Sequence, residues 1–83
     1  MKQLESVEAF EQLKQGKTVF MFTADWCIDC RFIAPRLPEL EEKHPDYTFV
    51  SVDRDKFIDL AADLGIMGIP SFLVYENGEQ VGS

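Results

Sequence analysis

Three stretches of this chain, V-F-M-F at 19–22, T-F-V-S-V at 48–52 and F-L-V-Y at 72–75, are apolar on both sides rather than at alternate positions. Side chains along a strand point to opposite faces in turn, so strands of this kind need cover on both faces of their sheet. That requirement rules out a sheet with one wet face and calls for helical layers above and below it. The intervening segments supply them. Ser6 is placed to cap a first helix marked by Val7, Phe10 and Leu13, with Gly16 as its stop. The spacing predicts a second helix from Cys27 to about His44, kinked where Pro35 removes a backbone donor and disturbed again at Pro38. A third, capped by Asp53 or Asp55, carries Phe57, Leu60, Ala61 and Leu64 at i, i+3, i+4 and i+7 and ends at Gly65. The strand core of Thr18 to Thr23 is joined by strands at Tyr47 to Val52 and Phe72 to Tyr75, a short one at Lys2 to Leu4, and a hairpin through Asn77-Gly78 into Glu79 to Val81. The order β-α-β-α-β-α-β-β is an α/β fold with a mixed sheet.

Right-handed crossovers put the first and third helices on one face and the second on the other. The second face then carries one helix where there is room for two. A C-terminal helix reads as missing, and residues 1–83 read as a single domain cut from a longer natural protein. A monomer is the expectation, with the uncovered sheet face as the route to a dimer.

The net charge of −7 gives nucleic-acid phosphates no basic footprint to meet. The start, M-K-Q-L-E-S, has no apolar run behind its lysine, and nothing approaches the length of a membrane span. The cytoplasm is the compartment these features suggest, and permanent disulfide staples do not suit it.

Against that background stands A-D-W-C-I-D-C at 24–30, which holds the only two cysteines. A zinc site takes four protein ligands, or three and a water, whereas Cys27, Cys30 and the single distant His44 fall short within one chain. Two readings stay open: inert core cysteines, and a working redox pair. C-x-x-C at a strand-to-helix junction favours the second. It sets the first sulfur near the amides of a helix N-terminus, which stabilise a thiolate, and the second one turn on, within bonding reach.

With Trp26-Cys27-x-x-Cys30, Ile33-Ala34-Pro35, Gly68-Ile69-Pro70 and Asn77-Gly78 at matching spacings, the chain from Thr18 to Gly78 resembles the thioredoxin family. The resemblance implies a thioredoxin-like fold, a central mixed sheet flanked by helices, with Pro70 in the cis form opposite the sulfurs. It implies thiol–disulfide oxidoreduction with Cys27, partly exposed, as nucleophile and Cys30, more buried, as resolving cysteine. Trp26 would shield the pair, and Trp26, Gly68, Ile69 and Pro70 would bind an extended substrate segment. It implies no cofactor and no metal; the partners are disulfide-containing proteins or small disulfides, with thioredoxin reductase as electron donor. Two other functions are set against this one. The first is a redox-gated binding module that uses the Pro70 groove without general turnover. The second is a delivery role with a metal or cofactor held across a dimer.

Three positions depart from the family pattern. Met21 stands where a buried aspartate is usual, and Phe49 is aligned with the lysine that accompanies it, so the two read as a neutral pair. The proton of Cys30 must then go to water or another carboxylate. Ile28-Asp29 replaces the usual Gly-Pro. Asp29 favours the helix start, and it also opposes a second negative charge nearby, which leaves less thiolate at neutral pH. A Trp-Cys-x-Asp-Cys centre is also similar to thioredoxin-related proteins with Trp-Cys-Pro-Asp-Cys, which implies a narrower set of disulfides.

Overall fold

Phe20 and Phe22 point to one side of their strand and Met21 to the other, and both sides are buried. The computed structural model describes residues 1–83. That strand, β2 (Lys17–Thr23), pairs in parallel with β3 (Thr48–Asp53) and antiparallel with β4 (Ser71–Glu76). A short β1 (Lys2–Gln3) lies beyond β3, and β5 (Glu79–Gly82) lies beyond β4, giving the sheet order β1-β3-β2-β4-β5. The strands β2 and β4 run past their apolar stretches because the ladder continues to Lys17 opposite Glu76, a backbone pairing that side-chain hydropathy does not report.

The first face is the thicker core. Here α1 (Val7–Leu13) drops Phe10 onto Phe20 and Tyr75, with ring centroids 4.7 and 5.8 Å away. Ser6 caps this helix as anticipated, its hydroxyl accepting the Ala9 N–H at 3.1 Å. On the same face α4 (Ile58–Asp63) buries Ala61, with Leu60 and Leu64 packed beside it. Neither Asp53 nor Asp55 caps α4, contrary to the sequence reading: Phe57 occupies the capping position and makes no side-chain cap. Asp53 instead closes the preceding turn, its Oδ1 accepting the N–H groups of Asp55 (2.9 Å) and Lys56 (3.3 Å).

On the second face the expected single kinked helix is three pieces. They are α2 (Ile28–Ile33), a 3₁₀ turn (Ala34–Arg36) and α3 (Leu37–Lys43). Pro35 and Pro38 together account for the break. Pro35 cannot donate to the preceding turn, and Pro38 is tolerated because it falls in the first turn of the next helix, where donors have no partner anyway. These helices cover Met21, while Val19, Phe49 and Val74 line a groove with His44 and Tyr47 over which no helix of the chain lies. The anticipated imbalance between the two faces is therefore present.

The hairpin turn carries Asn77 at φ 54° and Gly78 at φ 88°, and a Cβ on Gly78 would sit 2.9 Å from the Gln15 side chain. Its backbone is tied to the α1–β2 connection, with the Gly78 N–H donating to Lys14 O at 2.8 Å. At the edge of the open groove the Tyr47 hydroxyl donates to Glu76 Oε2 at 2.9 Å. That bond, helped by partial loss of solvent, holds the phenol above its ordinary value of 10.0.

Two outcomes follow from this asymmetry. Phe20→Ala should cost about 3–5 kcal/mol by urea denaturation, and Val19→Ala on the open face about 1 kcal/mol or less. The Tyr47 bond favours the neutral phenol, so its stabilisation is complete below the ordinary tyrosine value and is lost as pH rises through the raised one. Glu76→Gln should therefore move one of the two tyrosine ionisations to lower pH in an ultraviolet titration.

Candidate redox site

The strand β2 ends at Thr23, and a tight turn brings the Cys27 N–H back to Ala24 O at 3.1 Å. Arg31 straps this turn, its Nη2 donating to Asp25 O at 2.7 Å. Cys27 then occupies the N-terminal capping position of α2 with extended backbone (φ −81°, ψ 107°). Its Sγ accepts the Cys30 N–H at 3.2 Å, so the sulfur takes the part that a serine or aspartate oxygen plays at other helix starts. Cys30 is buried one turn later, and the two sulfurs are bonded, with Cα atoms 5.3 Å apart. That separation lies inside the ~4.4–6.8 Å range of ordinary disulfides.

Burial does not separate the two cysteines. Cys27 is 5% exposed and Cys30 is 4%, so the reading of a partly exposed Cys27 is corrected in this disulfide-bonded form. What distinguishes them is the helix end. Both pack in one cluster with Met21, Ala24 and Leu37, but only Cys27 receives the amide and faces the positive end of the backbone dipoles. Asp29 is exposed in the first turn of α2, on the same helix end as Cys27.

The loop before β4 reaches the same cluster through Ile69. The Ile69–Pro70 peptide is cis, Gly68 is exposed, and its carbonyl accepts the Ser71 hydroxyl. Ile69 packs against both hydrophobic clusters, including the one that holds the cysteines. The turn 24–30 and the loop 68–70, some forty residues apart in the chain, thus share one apolar cluster.

Two sequence readings of this region change. Met21 and Phe49 do not form a pair: the parallel register sets Met21 opposite Ser51 and Phe49 opposite Val19. The reason is alternation, which sends residues two apart on β3 to separate places along the same face. Beside Met21 a groove lined by Thr23, Asp25, Arg31 and Ser51 reaches Cys30 from outside. The second change concerns Asp55, read as a helix cap, which instead accepts the Trp26 Nε1–H on Oδ2 at 2.7 Å. No periodicity marks that contact, because it joins two turns 29 residues apart. His44 lies at the end of α3 against Tyr47, on the open groove and not with the cysteines.

The family model described as Thioredoxin matches residues 2–83. The chain is similar to Thioredoxin-1 of Schizosaccharomyces pombe, at 36% identity over 83 residues, covering 98% of this chain and 81% of that one. Thioredoxin H5 of Oryza sativa subsp. japonica is 40% identical over 72 residues, covering 86% of this chain and 53% of that protein. Among solved structures, mitochondrial thioredoxin 3 from Saccharomyces cerevisiae in its oxidised form superposes with a TM-score of 0.90 at 31% identity, over 99% of this chain and 79% of that one. The chain thus spans from about half to about four fifths of the length of these relatives. No helix is long and apolar enough to cross a membrane.

Proposed function

The chain belongs to the thioredoxin family and is a thiol–disulfide oxidoreductase, and from that premise we propose that it reduces the disulfides of proteins, with Cys27 attacking and Cys30 resolving. The observation that carries this assignment is the Cys30 N–H donated to Cys27 Sγ at the start of α2. A sulfur that accepts a backbone amide at a helix N-terminus is stabilised as thiolate, and the thiolate is the attacking species.

In the forward cycle the Cys27 thiolate attacks one sulfur of the substrate disulfide. The Cys27–substrate bond forms, the substrate's own S–S bond breaks, and the other substrate sulfur leaves as thiolate. Cys30 then gives up its proton and attacks Cys27 Sγ. The Cys27–Cys30 bond forms, the mixed disulfide breaks, and the second substrate sulfur departs. Two electrons pass to the substrate, and the protein ends in the disulfide form. No buried carboxylate lies beside Cys30, so its proton leaves to water in the groove lined by Thr23, Asp25 and Ser51. Trp26 and the segment Gly68-Ile69-Pro70 flank the incoming chain, and the Ile69 backbone pairs with it as an added strand does. The cycle needs a reductant, which in our reading is thioredoxin reductase, and a reducing compartment, which we take to be the cytoplasm.

Asp29 restrains the reaction in this scheme. It sits on the exposed rim of the same helix end, where its charge repels the thiolate and narrows the choice of substrate toward segments that offset it.

Cys30→Ser should accumulate a covalent mixed disulfide through Cys27 that dithiothreitol releases; a complex that survives reduction would instead indicate a binding module. Asp29→Asn should raise the rate of Cys27 alkylation by iodoacetamide at neutral pH and move the pH–rate profile to lower pH. An unmoved profile would refute the repulsion.

A further inference from the structure

The single tryptophan stands 59% exposed beside Cys27 and belongs to neither hydrophobic cluster, yet three contacts converge on it or its partners. Its Nε1–H donates to Asp55 Oδ2 at 2.7 Å. The other oxygen of the same carboxylate, Oδ1, accepts Arg54 Nε–H at 3.1 Å. The Arg54 guanidinium carbon in turn lies 5.4 Å from the centroid of the Trp26 ring, closing a cycle of indole, carboxylate and guanidinium. The base of this cycle is fixed by backbone. Arg54 N–H donates to Thr23 O at 2.8 Å, at the end of the strand from which Trp26 emerges, and Asp53 Oδ1 holds the Asp55 amide.

We propose that Arg54 is a positioning residue for disulfide exchange: with Asp55 it clamps the Trp26 indole as a fixed wall beside Cys27, against which a substrate polypeptide docks. The inference rests on the disulfide-reductase reading above and adds to it a residue outside the C-x-x-C turn and the proline loop. The hydrogen bond donated to Asp55 alone leaves the indole free to pivot about Nε1, because one contact fixes a point and not a plane. The guanidinium supplies the missing restraint by covering the ring face while its Nε–H reaches the carboxylate. A lysine can place a charge over the ring but has no planar fork to hold both partners at once. The Arg54 side chain is 28% exposed and Asp55 49%, so the ion pair by itself contributes little, and the ring contact is what gives the cycle its purpose.

The test uses Trp26 as its own reporter, since no other tryptophan emits. Time-resolved fluorescence anisotropy and near-ultraviolet circular dichroism are recorded for the wild type, Arg54→Ala, Arg54→Gln and Arg54→Lys. Insulin reduction is followed with dithiothreitol as donor. In Arg54→Ala and Arg54→Gln the indole should gain fast local motion and lose its near-ultraviolet signal. The insulin KM should rise about threefold to tenfold, with kcat within about twofold of wild type. Arg54→Lys should recover part of both. The glutamine variant keeps most of the side-chain stem, so a fold defect in the alanine variant cannot stand in for the effect. An indole as immobile as wild type in both variants overturns the clamp, and so does a loosened indole with an unchanged KM. A wild type that leaves insulin unreduced counts against the reductase reading, and the anisotropy then decides the clamp alone.

Discussion

Hydrogen bonding along both edges of β2 is the constraint on which the rest of the molecule depends. Parallel pairing with β3 and antiparallel pairing with β4 leave this strand no free edge, and its two faces are buried by different helices. Because it cannot shift along either neighbour, its C-terminal end is a fixed point. The turn that carries Trp26 and Cys27 leaves from that end, and Arg54 is bonded back to the same end through Thr23 O. The loop with Pro70 feeds directly into β4, the antiparallel neighbour of β2. One strand thereby sets the relative positions of every group in the site.

The two faces of the sheet share the work unequally. The face under α1 and α4 holds the aromatic cluster of Phe10, Phe20 and Tyr75, in which the Tyr75 ring meets both phenylalanines edge to face. The other face carries the chemistry. There the disulfide is itself part of a small cluster, with Met21 beneath it and Leu37 beside it. Replacing a buried charge by Met21 keeps this cluster apolar without an ion-pair partner, at the cost of any internal proton acceptor. In the proposed cycle the groove past Thr23, Asp25 and Ser51 is the route by which the Cys30 proton reaches solvent.

Electrostatics at the site come from short-range geometry more than from the overall charge of −7. The Cys30 amide and the start of α2 favour negative charge on Cys27, and the proposed scheme sets the exposed Asp29 of the same helical turn against it. Arg31 and Arg54 are each engaged, one with the Asp25 carbonyl and the other with Asp55 and the Trp26 ring.

The α/β class, the element order, the two-sided sheet and the cysteine pair at a strand-to-helix junction were legible in the residues themselves. Each is a local signal, such as a run of apolar residues, a capping serine, an Asn-Gly turn or a C-x-x-C after a strand, and local signals act through backbone sterics and periodicity. Other features depended on the assembled fold. The long helix breaks into three because Pro35 interrupts its ladder and Pro38 opens a new first turn. Met21 faces Ser51 and not Phe49 because strand register is a property of the ladder and not of either strand alone. Both cysteines are equally buried because the fold packs around the bonded pair, and Asp55 serves Trp26 in place of a helix because two turns 29 residues apart meet at the end of β2. The sequence by itself determined which chemistry the chain carries, since that needs only the right residues one helical turn apart. Tertiary structure alone decided what surrounds the sulfurs, because those neighbours are brought together by strand pairing over distances that no local pattern encodes.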